Sequence, residues 1–281
     1  MAQVRLKGAG IVFGCVPDIR DPETESQLAR ICQALATRVS LPVAPYLAAS
    51  PAELAAAFGV GDVTVLWASP TLLLTAKELS RAVPLVCSVR QGLTAYHGCV
   101  YVPQDSPVRS PVELRGVRAA WVAPTSAAGF IFPRLTLAGY GLEPHVLFAS
   151  ESFYGSHGKA ADAVLSGQAD VGAGYAVFEN GNPTARLVRA PFLGHAQGTA
   201  RILLTTNPIP SDLIVAAHSL STSVRNELAH ALQALERDDV TARALDHVLG
   251  VEGFRPHSPA LLAALREEIE VGRRLDLLEG V

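Results

Sequence analysis

Trp121-Val-Ala-Pro-Thr-Ser-Ala-Ala-Gly-Phe-Ile-Phe-Pro-Arg134 decides how this chain is read. Val117 to Ala123 is apolar and strand-like, and Pro124 ends it. Thr125 and Ser126 are good N-cap residue types, so a helix is expected to start on Ala127, Ala128 and Gly129. Their small side chains leave the first backbone N–H groups open. Such a start favours an anion, because those donors lack intrahelical partners and the dipole is positive there. The plainer reading of the stretch alone is a strand-to-helix connection that binds nothing.

Working outward, the first hundred residues repeat one pattern. Ala9–Val16 reads as a strand and Asp21-Pro-Glu-Thr-Glu25 opens a helix. Leu28, Ile31, Leu35 and Val39 then recur at helical spacing. Leu41–Tyr46 is a strand, and Ser50-Pro-Ala-Glu53 is a capping box with proline at the first helical position. Val63–Ala68 is a strand followed by a helix at Ser69-Pro70, and Pro84–Arg90 and Gly98–Val102 are strands. This alternation is the signature of an α/β unit with a mainly parallel sheet, whose ligands sit at the carboxyl ends of strands.

Pro103-Gln-Asp-Ser-Pro107 breaks the pattern and reads as a crossing segment. Beyond it lie a second capping box at Ser110-Pro-Val-Glu113, the deciding stretch and a strand at Val146–Ala149. A loop at Tyr154–Gly158, a helix at Lys159–Leu165, and strands at Ala169–Tyr175 and Leu187–Ala190 follow. Arg201–Thr205 reads as a strand and, with Asn207-Pro-Ile-Pro210 after it, as the return crossing. Asp212–Ala217 is a strand, Val224, Leu228, Leu232 and Leu235 mark a helix, and Ser258-Pro259 opens a last one with Arg266, Glu267, Glu270, Arg273 and Arg274 on a solvated face. The expected organisation is two lobes, residues 1–102 with 207–281 and an inserted 103–206, joined by two hinge crossings around a cleft.

The 281 residues suffice for two domains, and 49% hydrophobic against 17% charged residues allows a large core. A net charge of -3 with no basic run argues against nucleic acid as a partner. No uncharged apolar window reaches the length of a membrane span. Arg5 and Lys7 before Gly8-Ala-Gly-Ile-Val-Phe-Gly-Cys15 faintly suggest a lipoprotein signal, but the apolar run is short and its removal would delete the first strand. The expectation is therefore no export signal and a cytoplasmic protein. Cys15, Cys32, Cys87 and Cys99 form no C-x-x-C pair and are expected to be buried free thiols, which suits a reducing compartment.

No nucleophile elbow, zinc motif or paired-carboxylate spacing is present, so no catalytic residue, metal or cofactor is expected. Gly172-x-Gly174 lies inside a strand and is expected to permit close packing. Polar groups do gather at loop ends: Asp18, Ser69, Tyr96, Thr125, Ser126, His157 and Tyr175, with the backbone at Ala127. Hydroxyls, an imidazole and free N–H groups suit an oxyanion, and each bond to a charged group contributes about 1.5–3 kcal/mol.

Several stretches carry a resemblance: Trp67-Ala-Ser-Pro70, Ser110–Gly116, Pro124–Pro133, Gly155-Ser-His157, Val164–Gly172, Ile209-Pro-Ser-Asp212 and Leu249–Phe254. Together they resemble the phosphonate-binding family of type 2 periplasmic binding proteins, the solute receptors of phosphate, phosphonate and phosphite ABC importers. The resemblance implies a two-lobed α/β fold and a non-catalytic receptor closing on a small anionic ligand. It implies that Ser126, Ala127, His157 and Tyr96 stand where that family holds its oxyanion. Three departures are visible. The family's helix start reads Ser-Thr-Ser-Gly, against Ser126-Ala-Ala-Gly129 here, so two hydroxyls are absent. Asp18 stands where an aromatic is usual, and an export signal is not apparent. Three functions are therefore weighed: an intracellular sensor or carrier whose closed state a protein partner reads, a lyase on the same scaffold resembling the enzymes that dehydrate chorismate, and a protein-interaction module that has lost its ligand.

Overall fold

The computed structural model describes residues 10–17, 21–196 and 198–277. The chain divides by its contacts into two units, one running up to Thr94 together with Pro210–Pro259, the other Ala95–Ile209 together with the chain from Ala260.

In the first unit, β1 (Ile11–Cys15), α1 (Thr24–Val39), β2 (Val43–Leu47), α2 (Pro51–Gly59), β3 (Val65–Ala68), α3 (Pro70–Thr75) and β4 (Val83–Val89) follow in order. The chain then builds most of the second unit with β5 (Ala95–Pro103), β6 (Arg118–Trp121), α4 (Phe132–Gly139), α5 (Pro144–Leu147), β7 (Ser150–Phe153), α6 (His157–Leu165), β8 (Val171–Phe178), β9 (Leu187–Arg189) and β10 (Ala200–Pro210). It returns for β11 (Leu213–Ala216), α7 (Thr222–Gln233), α8 (Asp239–Leu249) and β12 (Gly253–Pro256), and ends on α9 (Pro259–Arg274).

Each unit carries one sheet. The first runs β12-β4-β11-β3-β1-β2 and the second β10-β5-β8-β6-β7, with β9 on β8. Both are mixed: β1 pairs parallel with β2 and β3, and β6 with β7 and β8, while β11, β12 and β5 pair antiparallel. The helical spacing read in α1 is the buried face, with Leu28, Ile31, Leu35 and Val39 all inside. These residues share one core with Phe13, Leu228, Leu232, Leu245 and Phe254. The capping box of α2 forms with a shift: Glu53 N–H donates to Ser50 Oγ at 3.2 Å, but the Glu53 carboxylate accepts from Ala49 N–H at 2.7 Å.

The boundaries between units differ from the expected ones. Pro103–Ser106 is a turn closed by Ser106 N–H donating to the Pro103 carbonyl at 3.0 Å, not a crossing, so the chain changes unit at Thr94/Ala95. Arg201–Thr205 lies within β10 of the second sheet, and the change comes at Ile209/Pro210. The last helix, expected with the first lobe, packs in the second unit through Leu262, Leu265, Ile269 and Gly272, which makes a third crossing. Its five charges are exposed as expected.

Local expectations shift too. Val146–Ala149 is not a strand: Pro144 starts a helical turn there and the strand begins at Ser150. The Ser110 box makes only a 3-10 turn without a side-chain cap bond. Cys15, Cys32, Cys87 and Cys99 are buried and form no disulfide, and burial pushes the last three thiols up to about 12. No described helix is long and apolar enough to cross a membrane.

Candidate functional site

The deciding stretch forms a rim on the second unit. β6 ends at Trp121, and after the turn Ser126 caps a π-helical segment, Ala127–Ile131, that runs into α4. Ser126 Oγ accepts from Gly129 N–H at 3.1 Å, which leaves its own hydroxyl proton to donate. The amides of Ala127 and Ala128 precede the first helical bonds and have no intrahelical partner. π-Bulges of this kind are frequent at functional sites. Glycine is required at position 129: a Cβ there would lie 2.3 Å from Val122 Cγ2 and 2.8 Å from Ser126 Oγ.

A second helix start lies on the same edge. β7 runs parallel to β6, and Tyr154 and Gly155 donate N–H bonds to the carbonyls of Trp121 and Val122 at 2.9 and 2.8 Å. The two connections therefore run side by side. Ser156 caps α6, whose first residue is His157, so this helix starts two residues earlier than expected. The His157 ring stands edge-on to Tyr175, 5.0 Å between centroids. Its Nδ1 is buried without a hydrogen-bond partner among the described residues. Burial pushes the imidazole down to about 4, so it is neutral near pH 7.

The glycines in β8 make room for this arrangement. A Cβ on Gly174 would come within 2.7 Å of Pro191 Cγ and 3.5 Å of His157 Nδ1, and one on Gly172 within 2.7 Å of the Tyr101 ring. Across the sheet Gly98 pairs with Tyr175, which puts Tyr96 on the Tyr175 face by strand alternation. Gly98 is itself close to the helix start, since its Cβ would meet Ala128 Cα at 3.4 Å.

Six of the eight expected site residues thus belong to the second unit. Ser126, Ala127 and His157 gather past the carboxyl ends of β6 and β7, beside Tyr175 in the middle of β8, with half-buried Tyr96 on the neighbouring strand. Thr125 is exposed just before the cap. Ser69 is in the first unit, where it caps α3 by accepting from Leu72 N–H at 3.2 Å. Asp18 lies outside the described residues.

A residue that the sequence reading missed is Arg189. Its guanidinium carbon lies over the Tyr175 ring, 5.6 Å from the centroid. The strand expected at Leu187–Ala190 forms as Leu187–Arg189, but only the folded chain brings the Arg189 side chain over the Tyr175 ring.

A broad cavity of about 1120 Å³ also opens in the second unit, between α4, β10 and α9. None of the eight expected residues lines it. Glu267 and Glu268 stand on its wall, and Glu268 accepts from Asn207 Nδ2 at 2.7 Å. That charge is wrong for an oxyanion. Among the described residues no cluster of His, Cys, Asp and Glu has the geometry to hold a metal ion.

Comparisons with known proteins bear on the arrangement. A family model described as "ABC transporter, phosphonate, periplasmic substrate-binding protein" matches residues 13–262. Among solved structures, XAC2383 from Xanthomonas citri bound to ATP is similar, with a TM-score of 0.75 and 21% identity over 95% of this chain and 99% of that one. PhnD1 from Prochlorococcus marinus in complex with methylphosphonate gives 0.67 and 16% over 95% and 98%. A binding-protein component of an ABC phosphonate transporter from Pseudomonas aeruginosa gives 0.66 and 17% over 95% and 87%. The type 2 binding-protein fold is therefore shown. The cytoplasmic location is overturned, because the matching family is periplasmic, and the intracellular sensor or carrier falls with it. Buried thiols outside disulfides are no mark of a reducing compartment when burial alone keeps them apart from oxidants. With its family match running from the first strand into the last helix, the chain belongs to the periplasmic substrate-binding proteins of phosphonate ABC transporters.

Proposed function

We propose that this protein is a non-catalytic receptor for a small phosphonate- or phosphate-like oxyanion, held at the rim of the second unit. The observation that carries the reading is the His157 imidazole, whose buried Nδ1 has no described hydrogen-bond partner beside two adjacent helix starts. A buried polar atom without a partner is costly, and a ligand would satisfy it. Ser126 Oγ–H and the amides of Ala127 and Ala128 supply further donors, and Tyr175 walls the far side. Two such charge-assisted bonds contribute about 3–6 kcal/mol, and with the amides reach micromolar affinity after the costs of association.

The alanines at 127 and 128 leave the backbone to serve where hydroxyls are usual. An ABC permease is the partner that this role requires. The relative PhnD1 is described with methylphosphonate, which makes that compound the first probe.

Calorimetry with methylphosphonate, inorganic phosphate and an aliphatic sulfonate tests the reading. Micromolar binding of at least one, weakened about tenfold or more by His157→Ala, is expected. Folded protein that binds none of them contradicts it.

A further inference from the structure

We infer that Arg189 is a specificity-determining residue that reads a second anionic group on the ligand, so that the ligand is an oxyanion carrying another acidic group rather than a simple alkylphosphonate. This rests on the oxyanion site proposed above.

Tyr175 links the two points. Its ring contacts His157 at 5.0 Å between centroids and lies under the Arg189 guanidinium at 5.6 Å. Arg189 ends β9, which pairs with β8 next to this ring through Val177 and Arg189, at a register irregularity between Val177 and Phe178. The cation is thus carried by a strand, not by a loose loop.

Among the described residues no hydrogen bond or ion pair takes up the donors of Arg189. Arg118 pairs with Asp170 at 2.8 Å, Arg134 pairs with Glu151, and Arg186, on the strand's approach, stands 3.8 Å from Glu179. Arg189 is exposed and has no carboxylate partner among the described residues, only the aromatic face beneath it. A guanidinium attracted to a ring face spends none of its N–H groups on a carboxylate, which leaves them for a planar acceptor or for two phosphoryl oxygens.

Arg189 adds a kind of group that the rim itself does not supply. Neutral His157, Ser126 and backbone amides provide donors but no full positive charge, and Ala127 and Ala128 add no hydroxyl. One phosphoryl group suits those donors; a second acidic group a few ångströms away suits Arg189.

The test is calorimetry of wild-type protein, Arg189→Gln, Arg186→Gln and His157→Ala against methylphosphonate and phosphonoacetate, which adds a carboxylate. Wild type is expected to bind phosphonoacetate about tenfold more tightly than methylphosphonate. Arg189→Gln should erase that preference while changing methylphosphonate affinity less than about twofold, and Arg186→Gln should change neither. An intact preference in Arg189→Gln overturns the inference while leaving the oxyanion site standing, and so does an equal loss in Arg186→Gln, which would reflect net charge alone. If neither compound binds wild type the inference falls, and the oxyanion site falls too when phosphate and an aliphatic sulfonate also fail to bind; if His157→Ala alters neither affinity, the oxyanion site itself is wrong and the inference falls with it.

Discussion

The imidazole of His157 meets the ring of Tyr175 edge-on, 5.0 Å between centroids and 74° between planes. This contact ties the start of α6 to the middle of β8. It also holds the imidazole in surroundings that disfavour its charged form.

An acid-stability prediction follows from the direction of that shift. The imidazole sits at about 4 in the folded protein and near its ordinary value of 6.5 when unfolded. Between those values the unfolded state binds more protons, so its contribution to stability is complete above about pH 6.5 and is lost as pH falls toward 4. His157→Gln should flatten this part of the profile. Urea melts across the window measure it; an unchanged slope in the variant would show that the ring is solvated.

Ser126 has two roles that one pair of variants separates. Ser126→Ala removes the cap on Gly129 N–H and should cost about 1 kcal/mol, along with ligand affinity. Ser126→Asp keeps a capping acceptor at a helix start, so stability should stay within about 0.5 kcal/mol of wild type. Its carboxylate repels an oxyanion, so binding should disappear. Thermal melts beside calorimetry read both; tight anion binding by the aspartate variant would move the site elsewhere.

Gly129→Ala should destabilise by about 2 kcal/mol or more, because the new methyl would overlap Val122 Cγ2 and Cβ at 2.3 and 2.5 Å. Gly139→Ala is the control, since nothing lies within 4 Å of a Cβ there. Denaturant midpoints compare the two.

Behind the rim, Glu151 accepts from Trp121 Nε1 at 2.7 Å and pairs with Arg134, whose side chain is only 5% exposed. Glu151→Ala leaves that guanidinium buried without its counter-charge and should cost about 3–5 kcal/mol. Adding Arg134→Met should recover much of the loss. Urea unfolding of the single and double variants decides it; equal stability of wild type and Glu151→Ala would mean the guanidinium reaches water.

Much of this was legible in the chain. The periodicity of Leu28, Ile31, Leu35 and Val39 and the capping residues Ser50, Ser69 and Ser126 mark elements by local physics, and all of these helices form. The quoted motifs carried the family. Hidden were features that depend on pairing between distant strands. Whether β5 and β10 lie in the first or second sheet is set by partners far along the chain, so the crossings were misplaced. Val146–Ala149 is apolar enough to suggest a strand, but Pro144 at a first helical position winds the chain into a turn there. In the sequence Arg189 is one more strand arginine, and only its folded contact with the Tyr175 ring sets it apart.

The most direct measurement is a crystal structure grown with methylphosphonate. The account predicts phosphonate oxygens within hydrogen-bond distance of Ser126 Oγ, the Ala127 or Ala128 amide and a ring nitrogen of His157. Density for the compound away from this rim, with His157 Nδ1 still unpartnered, would contradict it.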